Sequence, residues 1–180
     1  MLSEHIFLYN GFMNKDLLKE TQDNYRKLTS LLIKKGISIT TMESCTSGLI
    51  ASFITDIDNS SSVFEAGTIT YSNKAKVAQG VDENIIKTYG VYSSETSIDM
   101  ARVAKKNSNS DISIGVTGSL GIADPNNKDS KPGEVYFTID YLKPYTYFIS
   151  VENQGSKFLN KVYTANCVCL ELLSILKEDY

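Results

Sequence analysis

The chain has 180 residues, of which 42% are hydrophobic and 22% are charged. This length suits one folded domain, and ordinary apolar content with charges of both signs excludes a disordered tail protein. A net charge of −3 disfavours a nucleic-acid partner. No apolar run reaches the ~18 residues of a membrane helix. We expect no membrane partner. Because residues 1–16 carry the acidic Glu4 and no basic residue before a short apolar part, they do not resemble a signal peptide, and we expect a cytoplasmic protein.

Scarce residue types narrow the kinds of site that are possible. The only histidine is His5, so a histidine-based triad or a histidine-rich zinc site is not expected. The three cysteines, Cys45, Cys167 and Cys169, are an odd and sparse set, so we expect no disulfide framework. We predict neither a metal nor a cofactor. Because arginine is rare, anions would be held mainly by lysine, hydroxyl or backbone N–H groups.

Residue patterns predict an alternation of helices and strands in the first half of the chain. Apolar residues near a 3.6-residue period predict helices, and short alternating or β-branched runs predict strands. The predicted elements are a helix over 14–35, a strand over 37–42, a helix over 49–54, a strand over 64–71 and a helix from 72 or 73 to about 79.

The second half continues this alternation and then departs from it. The predicted elements are helices over 82–88 and 94–106, a strand over 112–116, a hairpin of strands 135–141 and 145–151 that turns at Lys143 and Pro144, and a closing helix over 157–178. Strands that alternate with helices and end in a hairpin predict an α/β fold, with three α/β/α layers and a mixed, mostly parallel sheet. We predict one domain over 14–180, preceded by an N-terminal extension over 1–13.

Three predicted strand-to-helix turns are candidate ligand sites, because helix N-termini there present free N–H groups. These turns are 43–48, 71–76 and 117–121. In the first turn, Ser44 is a candidate nucleophile with neighbouring N–H groups as an oxyanion hole. Alternatively, Ser44 or Thr46 simply caps the next helix, and periodicity alone favours this interpretation.

Cys45 is a rival nucleophile, because a thiolate at the start of a helix is activated. The alternative is a small buried side chain, which we favour because no histidine is available as its partner. In the last turn, the Thr117 hydroxyl either binds substrate or caps the turn.

The second turn contains Lys74 and Lys76, which point in directions about 200° apart around a helix. One of them can therefore point inward while the other stays in water. Burial lowers the pKa of a lysine, and a neutral amine can take a proton from a serine. Without further information, two solvated lysines on an exposed helix remain the simpler interpretation.

Two motifs together resemble a known family. Residues 43–49 read ESCTSGL and residues 71–76 read YSNKAK, with Ser44 and Lys76 32 positions apart. Further matching residues are Thr55-Asp56, Ser60-Ser61, Phe64, Gly67, Val81 and Gly90-Val91 with Ser93. From about residue 25 to 175 the chain resembles the CinA C-terminal domain family, the nicotinamide-nucleotide amidases, which hydrolyse nicotinamide mononucleotide to the nicotinic acid form and ammonia.

The resemblance implies a serine nucleophile at Ser44 and a lysine general base at Lys76, with Tyr71 as a third catalytic residue. It places Ser61 and Thr117 as further hydroxyls of the site. The resemblance also implies substrate contacts from Thr46, Gly118 and Lys157, and a homodimer or larger homo-oligomer. The substrate would be a small nucleotide, cleaved without a metal.

Three departures from the family pattern concern the binding of substrate. Ser47 replaces the first of two glycines that usually follow Ser-Cys-Thr. The usual glycine-rich loop is SLGIADPNN over 119–127, and lysines at 157 and 161 stand where arginines are expected. An alternative function is therefore a nucleotide-binding or interaction module without activity. A third possibility, an accessory role in DNA uptake or repair, conflicts with the acidic composition.

Overall fold

The computed structural model describes residues 15–128 and 130–178. Its helices are α1 (Lys15–Lys35), α2 (Leu49–Thr55), α3 (Asn73–Gln79), α4 (Glu83–Tyr89), α5 (Ser94–Ser108) and α6 (Lys157–Glu178), with a 3₁₀ turn at Ser60–Ser62. Its strands are β1 (Ile39–Glu43), β2 (Phe64–Ile69), β3 (Ile112–Gly118), β4 (Glu134–Tyr141) and β5 (Lys143–Ser150). The predicted N-terminal extension over 1–13, with His5, lies outside the described residues.

The five strands form one mixed sheet in the order β2-β1-β3-β4-β5. β1 pairs in parallel with both β2 and β3, whereas β4 is antiparallel to β3 and to β5. Four of the five strands therefore run in one direction, which confirms the predicted mixed and mostly parallel sheet. The carboxyl ends of β1, β2 and β3 lie at the same edge, and the three predicted turns follow them.

Helices cover both faces of the sheet and make the three predicted layers. On one face, α1, α2 and α6 enclose the larger apolar core, which includes Ile114 and Val116 of β3. On the other face, α5 and α4 enclose a smaller core around Met42 and Met100. Alternate residues of each central strand serve opposite cores, because side chains alternate across a sheet.

A glycine lets α5 lie directly on β3. A Cβ at Gly115 would stand 2.3 Å from the Ser97 carbonyl oxygen and 2.5 Å from the Ala101 nitrogen, both backbone atoms. No larger residue fits there without moving the helix. The neighbouring Ser113 hydroxyl donates to the Ala101 carbonyl at 2.7 Å and fastens the same contact.

Element boundaries differ from the predicted ones mainly at turns. β1 continues to Glu43 and β3 to Gly118, so both strands reach into the predicted turns. The predicted hairpin turn at Lys143 and Pro144 was wrong: β4 and β5 are joined by Leu142 alone, at φ +57°. Pro144 instead lies in β5, where a missing N–H is tolerated because β5 is an edge strand.

Candidate active site

The loops at the carboxyl edge of β1, β2 and β3 surround one cleft of about 560 Å³. Ser44 and Cys45 line it from the loop after β1, and residues 71–74 line it from the loop after β2. Residues 118–127 form the wall after β3, and Tyr92 and Lys157 complete the lining. All three predicted turns therefore contribute to a single concave site.

Ser44 and Lys76 meet in the interior of this edge. The Lys76 Nζ donates to the Ser44 Oγ at 3.0 Å and to the Thr70 carbonyl oxygen at 2.8 Å. Lys76 is 1% exposed and Ser44 is 5% exposed. Lys74 is exposed, so only one of the two lysines points inward, and the simpler interpretation of two solvated lysines is wrong. The structure thus joins the two motifs that the sequence separates by 32 positions.

Burial changes the acid–base behaviour of this lysine. Removal from water lowers the pKa of Lys76 from 10.5 to about 8, and the charges of Cys45 and Asp124 only partly oppose this shift. A substantial fraction of the amine is therefore neutral near physiological pH. The Thr70 carbonyl fixes one N–H of that amine, which leaves its lone pair available to the Ser44 hydroxyl.

Glu43, a residue to which sequence reasoning gave no role, organises the turn after Ser44. Its fully buried carboxylate accepts hydrogen bonds from the backbone N–H groups of Gly48 at 3.0 Å, Ile50 at 3.2 Å and Ala51 at 2.9 Å. These are donors that the first turn of α2 leaves without helical partners. A signal was present in the sequence, because an acidic residue directly preceded a small-residue turn that opens a helix.

The backbone of the turn explains why glycine suits the position of Ser47. Ser47 has φ +54° and Gly48 has φ +88°, so two successive residues adopt left-handed conformations. The Ser47 N–H donates to the Ser44 carbonyl at 3.1 Å, and the Gly48 N–H is held by Glu43. The N–H groups of Cys45 and Thr46 remain as this turn's candidates for an oxyanion hole.

Cys45 lies beside Ser44 but has the properties of an inert thiol. Burial, reinforced by the charge of Glu43, raises the pKa of Cys45 to about 12. The thiol is therefore protonated at neutral pH, whereas only a thiolate is a strong nucleophile. The raised pKa of the thiol therefore favours Ser44 over Cys45 as the attacking group.

Two of the other predicted residues lie together at the mouth of the cleft. The Lys157 Nζ donates to the Tyr71 hydroxyl at 3.4 Å, and both side chains line the cleft. Gly118 also lines it, and a Cβ there would stand 2.6 Å from the Glu134 carbonyl oxygen. Lys161 instead donates to the Ser47 hydroxyl at 3.1 Å and does not line the cleft.

Three predicted substrate contacts do not line the cleft. Thr117 is absent from the lining, and its hydroxyl donates to the Val91 carbonyl at 2.8 Å. Thr46 is 1% exposed and its hydroxyl has no hydrogen-bond partner among the described residues. Ser61 lies before β2, at the amino end of the strands, whereas Ser44 follows their carboxyl ends. Within this chain the sheet therefore separates Ser61 from Ser44.

Asp124 organises the wall after β3, and sequence reasoning did not single it out. Its carboxylate accepts hydrogen bonds from the Tyr92 hydroxyl at 2.8 Å, the Asn127 amide at 2.6 Å and the Asn126 N–H at 2.9 Å. The Asn73 amide at the start of α3 donates to the Asn127 oxygen at 2.8 Å. Hydrogen bonds thus tie the wall to two other elements that line the cleft.

No cluster of three His, Cys, Asp or Glu side chains that could hold a metal ion occurs within residues 15–128 and 130–178. Over the same residues, no helix is both long and apolar enough to cross a bilayer. Fold and site together define a three-layer α/β domain with a buried serine–lysine pair at the carboxyl edge of its sheet.

Comparison with known proteins places this domain in a family. The family model of the CinA C-terminal domain matches residues 21–173. The chain belongs to the CinA family through this domain, as the two motifs indicated. A relative from Halothermothrix orenii is 36% identical over 156 residues, covering 86% of this chain and 37% of the relative. The name of that relative refers to competence and damage.

Other relatives show the same partial coverage. A CinA-like protein of Leptospira borgpetersenii is 42% identical over 122 residues, covering 67% of this chain and 29% of that protein. The chain thus spans about a third of the length of these two curated relatives. A CinA superfamily structure from Klebsiella pneumoniae shares the fold at a TM-score of 0.81 and 20% identity, covering 88% of this chain and 98% of that one.

Proposed function

We propose that this protein is an amidase that hydrolyses the carboxamide of nicotinamide mononucleotide to nicotinate mononucleotide and ammonia. The observation that supports this most directly is the hydrogen bond of 3.0 Å between the buried Lys76 amine and the Ser44 hydroxyl oxygen. A lysine whose pKa is lowered to about 8 and that touches a serine in a cleft is the arrangement that Ser–Lys hydrolases require.

In the first half of the reaction, the neutral Lys76 amine takes the proton of the Ser44 hydroxyl as its oxygen attacks the carboxamide carbon. The tetrahedral oxyanion is stabilised by N–H groups of the turn, for which Cys45 and Thr46 supply the candidates. Lys76, now an ammonium, returns the proton to the departing nitrogen. Ammonia leaves and the acyl group remains as an ester of Ser44.

In the second half, Lys76 takes a proton from a water molecule that attacks this ester. The ester bond breaks, the proton passes to the Ser44 oxygen, and the carboxylic acid is released as its anion. One amide and one water thereby give one carboxylate and one ammonium ion. Lys157 and Tyr71 at the mouth of the cleft would position the nucleotide, with the Lys157 ammonium facing its phosphate.

The test is to incubate the purified protein with nicotinamide mononucleotide and to measure both ammonia and nicotinate mononucleotide. We expect Ser44→Ala to lower kcat/KM by at least about 10³-fold and Lys76→Met by about 10²- to 10⁴-fold. Two matched controls should stay within about threefold of the wild type. They are Cys45→Ala, beside the nucleophile, and Lys106→Met, an exposed lysine of α5 outside the cleft.

Mass spectrometry of a rapidly quenched reaction provides an independent readout, because a covalent acyl group must appear on the peptide that contains Ser44. Activity that survives in Ser44→Ala and disappears in Cys45→Ala would contradict the serine mechanism. An absence of ammonia release from the wild-type protein would contradict the amidase itself.

One feature favours a second candidate, a nucleotide-binding module without turnover. Lys157 and Lys161 stand where the family has arginines. Lys161 donates to the Ser47 hydroxyl and does not line the cleft, so only Lys157 is available there. A single lysine binds phosphate more weakly than a pair of arginine forks. Calorimetric binding of the nucleotide without ammonia release would favour this alternative. We further propose that the protein is cytoplasmic and that it forms a homo-oligomer. Analytical sedimentation of the purified protein would test the oligomeric state.

A further inference from the structure

The side chain of Asp124 places a fixed negative charge in the wall of the cleft. Both oxygens of its carboxylate accept hydrogen bonds, from the Tyr92 hydroxyl and the Asn127 amide on one oxygen and from the Asn126 N–H and amide on the other. These donors come from two segments of the chain, so hydrogen bonds fix the orientation of the carboxylate.

This carboxylate keeps its charge over the physiological pH range. Hydrogen bonds to the ionised form, above all that from the Asn126 N–H, lower the pKa of Asp124 below its ordinary value. All of its hydrogen-bond donors are neutral groups, and no salt bridge to Asp124 is formed by the part of the chain that the structure describes. The cleft wall therefore presents a net negative charge.

The charge acts on the site of reaction. Asp124 and Ser44 line the same cleft, and Asp124 is near enough to raise the pKa of the Lys76 amine that touches the Ser44 oxygen. An amide whose carbonyl carbon is attacked by Ser44 therefore places the ring bonded to that carbon in the field of Asp124.

We propose that Asp124 is a specificity-determining residue, whose carboxylate favours aromatic amides with a cationic ring over neutral amides of the same shape. This inference rests on the proposed amidase function and narrows its substrate class. A pyridine ring that is linked through its nitrogen to ribose has a permanent positive charge, so a fixed anion beside it lowers the energy of the bound state. With Lys157 at the mouth of the cleft, the two charges complement a substrate that is cationic at its ring and anionic at its phosphate.

The experiment compares nicotinamide mononucleotide with its benzamide analogue, in which a neutral phenyl ring replaces the pyridinium. The readout is the ratio of kcat/KM for the cationic amide to that for the neutral amide. We expect Asp124→Asn to lower this ratio about three- to tenfold, the range of one partly solvated charge interaction. A change in the protonation of Lys76 or in the packing of the loop affects both substrates and cancels in the ratio.

The control is Asp58→Asn, which removes the same charge from an exposed side chain outside the cleft. It should leave the ratio unchanged, and Asp124→Glu should keep most of the wild-type ratio. A second measurement needs no variant of Asp124: raising the salt concentration from about 0.02 M to about 0.5 M should lower the wild-type ratio, because salt screens the attraction.

The outcomes separate this inference from the proposed function. If both amides are hydrolysed and neither Asp124→Asn nor salt changes the ratio, the role of Asp124 is overturned while the amidase stands. If the wild type hydrolyses neither amide and Ser44→Ala binds neither by calorimetry, the amidase fails and this inference fails with it. A ratio that falls in Asp124→Asn but not in Asp58→Asn supports the role of Asp124.

Discussion

At the scale of single residues, the central feature is a lysine that folding has removed from water. Lys76 is 1% exposed, and its pKa is lowered to about 8 chiefly by the loss of hydration. Two consequences follow from this one shift. The amine becomes usable as a base near neutral pH, and the folded state must bear the cost of burying an ammonium below that pH.

The first prediction concerns the pH dependence of the proposed activity. Because the neutral amine is the working base, kcat/KM for nicotinamide mononucleotide should rise with pH and level off above a midpoint near 8. Steady-state assays between pH 6 and 10 measure this midpoint. A profile that is flat over the whole interval would remove Lys76 from its role as general base.

The second prediction concerns stability. The folded pKa of Lys76 lies below its unfolded pKa, so below pH 8 both states are protonated and the full cost of burial applies. Between pH 8 and 10.5 the unfolded state holds more protons, and the wild type gains stability as pH rises. Lys76→Met should therefore raise the free energy of unfolding by about 2 kcal/mol at pH 7, and this gain should shrink towards pH 10.

Urea unfolding of both proteins at pH 7 and pH 10 tests this prediction. Lys106→Met serves as the control, since this exposed lysine should change stability by less than about 0.5 kcal/mol at either pH. A Lys76→Met variant that is less stable than the wild type at pH 7 would mean that its hydrogen bonds to Ser44 and Thr70 outweigh the cost of burial.

At the scale of elements, the turn between β1 and α2 is held by a carboxylate rather than by a capping hydroxyl. Ser44 is the first residue after β1, and Glu43 joins the strand to the helix through three backbone N–H groups. The position of the proposed nucleophile therefore depends on a residue that does not line the cleft.

We predict that Glu43→Gln destabilises the protein and impairs its proposed chemistry. The amide would turn an NH₂ group towards backbone N–H donors, so at least one buried donor would lose its partner, at a cost of about 1–3 kcal/mol. Urea unfolding measures this cost, and kcat should fall more than KM rises because the geometry of the turn changes. Glu65→Gln, on the exposed part of β2, is the matched control. Unchanged stability in Glu43→Gln would show that the carboxylate's charge does not matter.

Much of the element pattern could be predicted from the sequence, because its signals are local. The apolar period of α1 and the caps at Ser72 and Ser93 depend only on residues within a few positions. The single-residue connection at Leu142 could not be predicted, because a leucine with positive φ contradicts local preference and is imposed by the pairing of β4 with β5.

The site was predictable only where residue chemistry narrowed the choice. The absence of a histidine partner is consistent with a lysine base, but the residue pattern alone could not decide between Lys74 and Lys76, and only the family resemblance pointed to Lys76. That choice depends on which side chain the packed sheet encloses. The direction of the Thr117 hydroxyl likewise depends on Val91, a residue 26 positions away in the chain.

At the scale of the whole molecule, one helical layer lies directly on the sheet at a close contact. β3 and α5 approach each other at Gly115, where a Cβ would collide with backbone atoms of Ser97 and Ala101. The spacing of an entire layer therefore depends on the absence of one side chain.

We predict that Gly115→Ala destabilises the protein by about 2–3 kcal/mol, because α5 would have to move away from the sheet. Thermal or urea unfolding measures the effect. Gly121→Ala is the matched control, since a Cβ there would meet nothing nearer than the Lys157 side chain at 3.8 Å. Equal stability of the two variants would mean that the contact between β3 and α5 is plastic.

The architecture also places the two reactive side chains and the wall of the cleft on separate parts of the chain. Ser44 lies directly after β1 and Lys76 lies in α3, whereas residues 118–127 form the cleft wall and meet α3 through the hydrogen bond between Asn73 and Asn127. For the proposed amidase, we expect a wall transplanted from another family member to change which amide is accepted while the pair of Ser44 and Lys76 stays in place. In this sense the pair of Ser44 and Lys76 is the constant part of the cleft, and residues 118–127 are the part that can be exchanged.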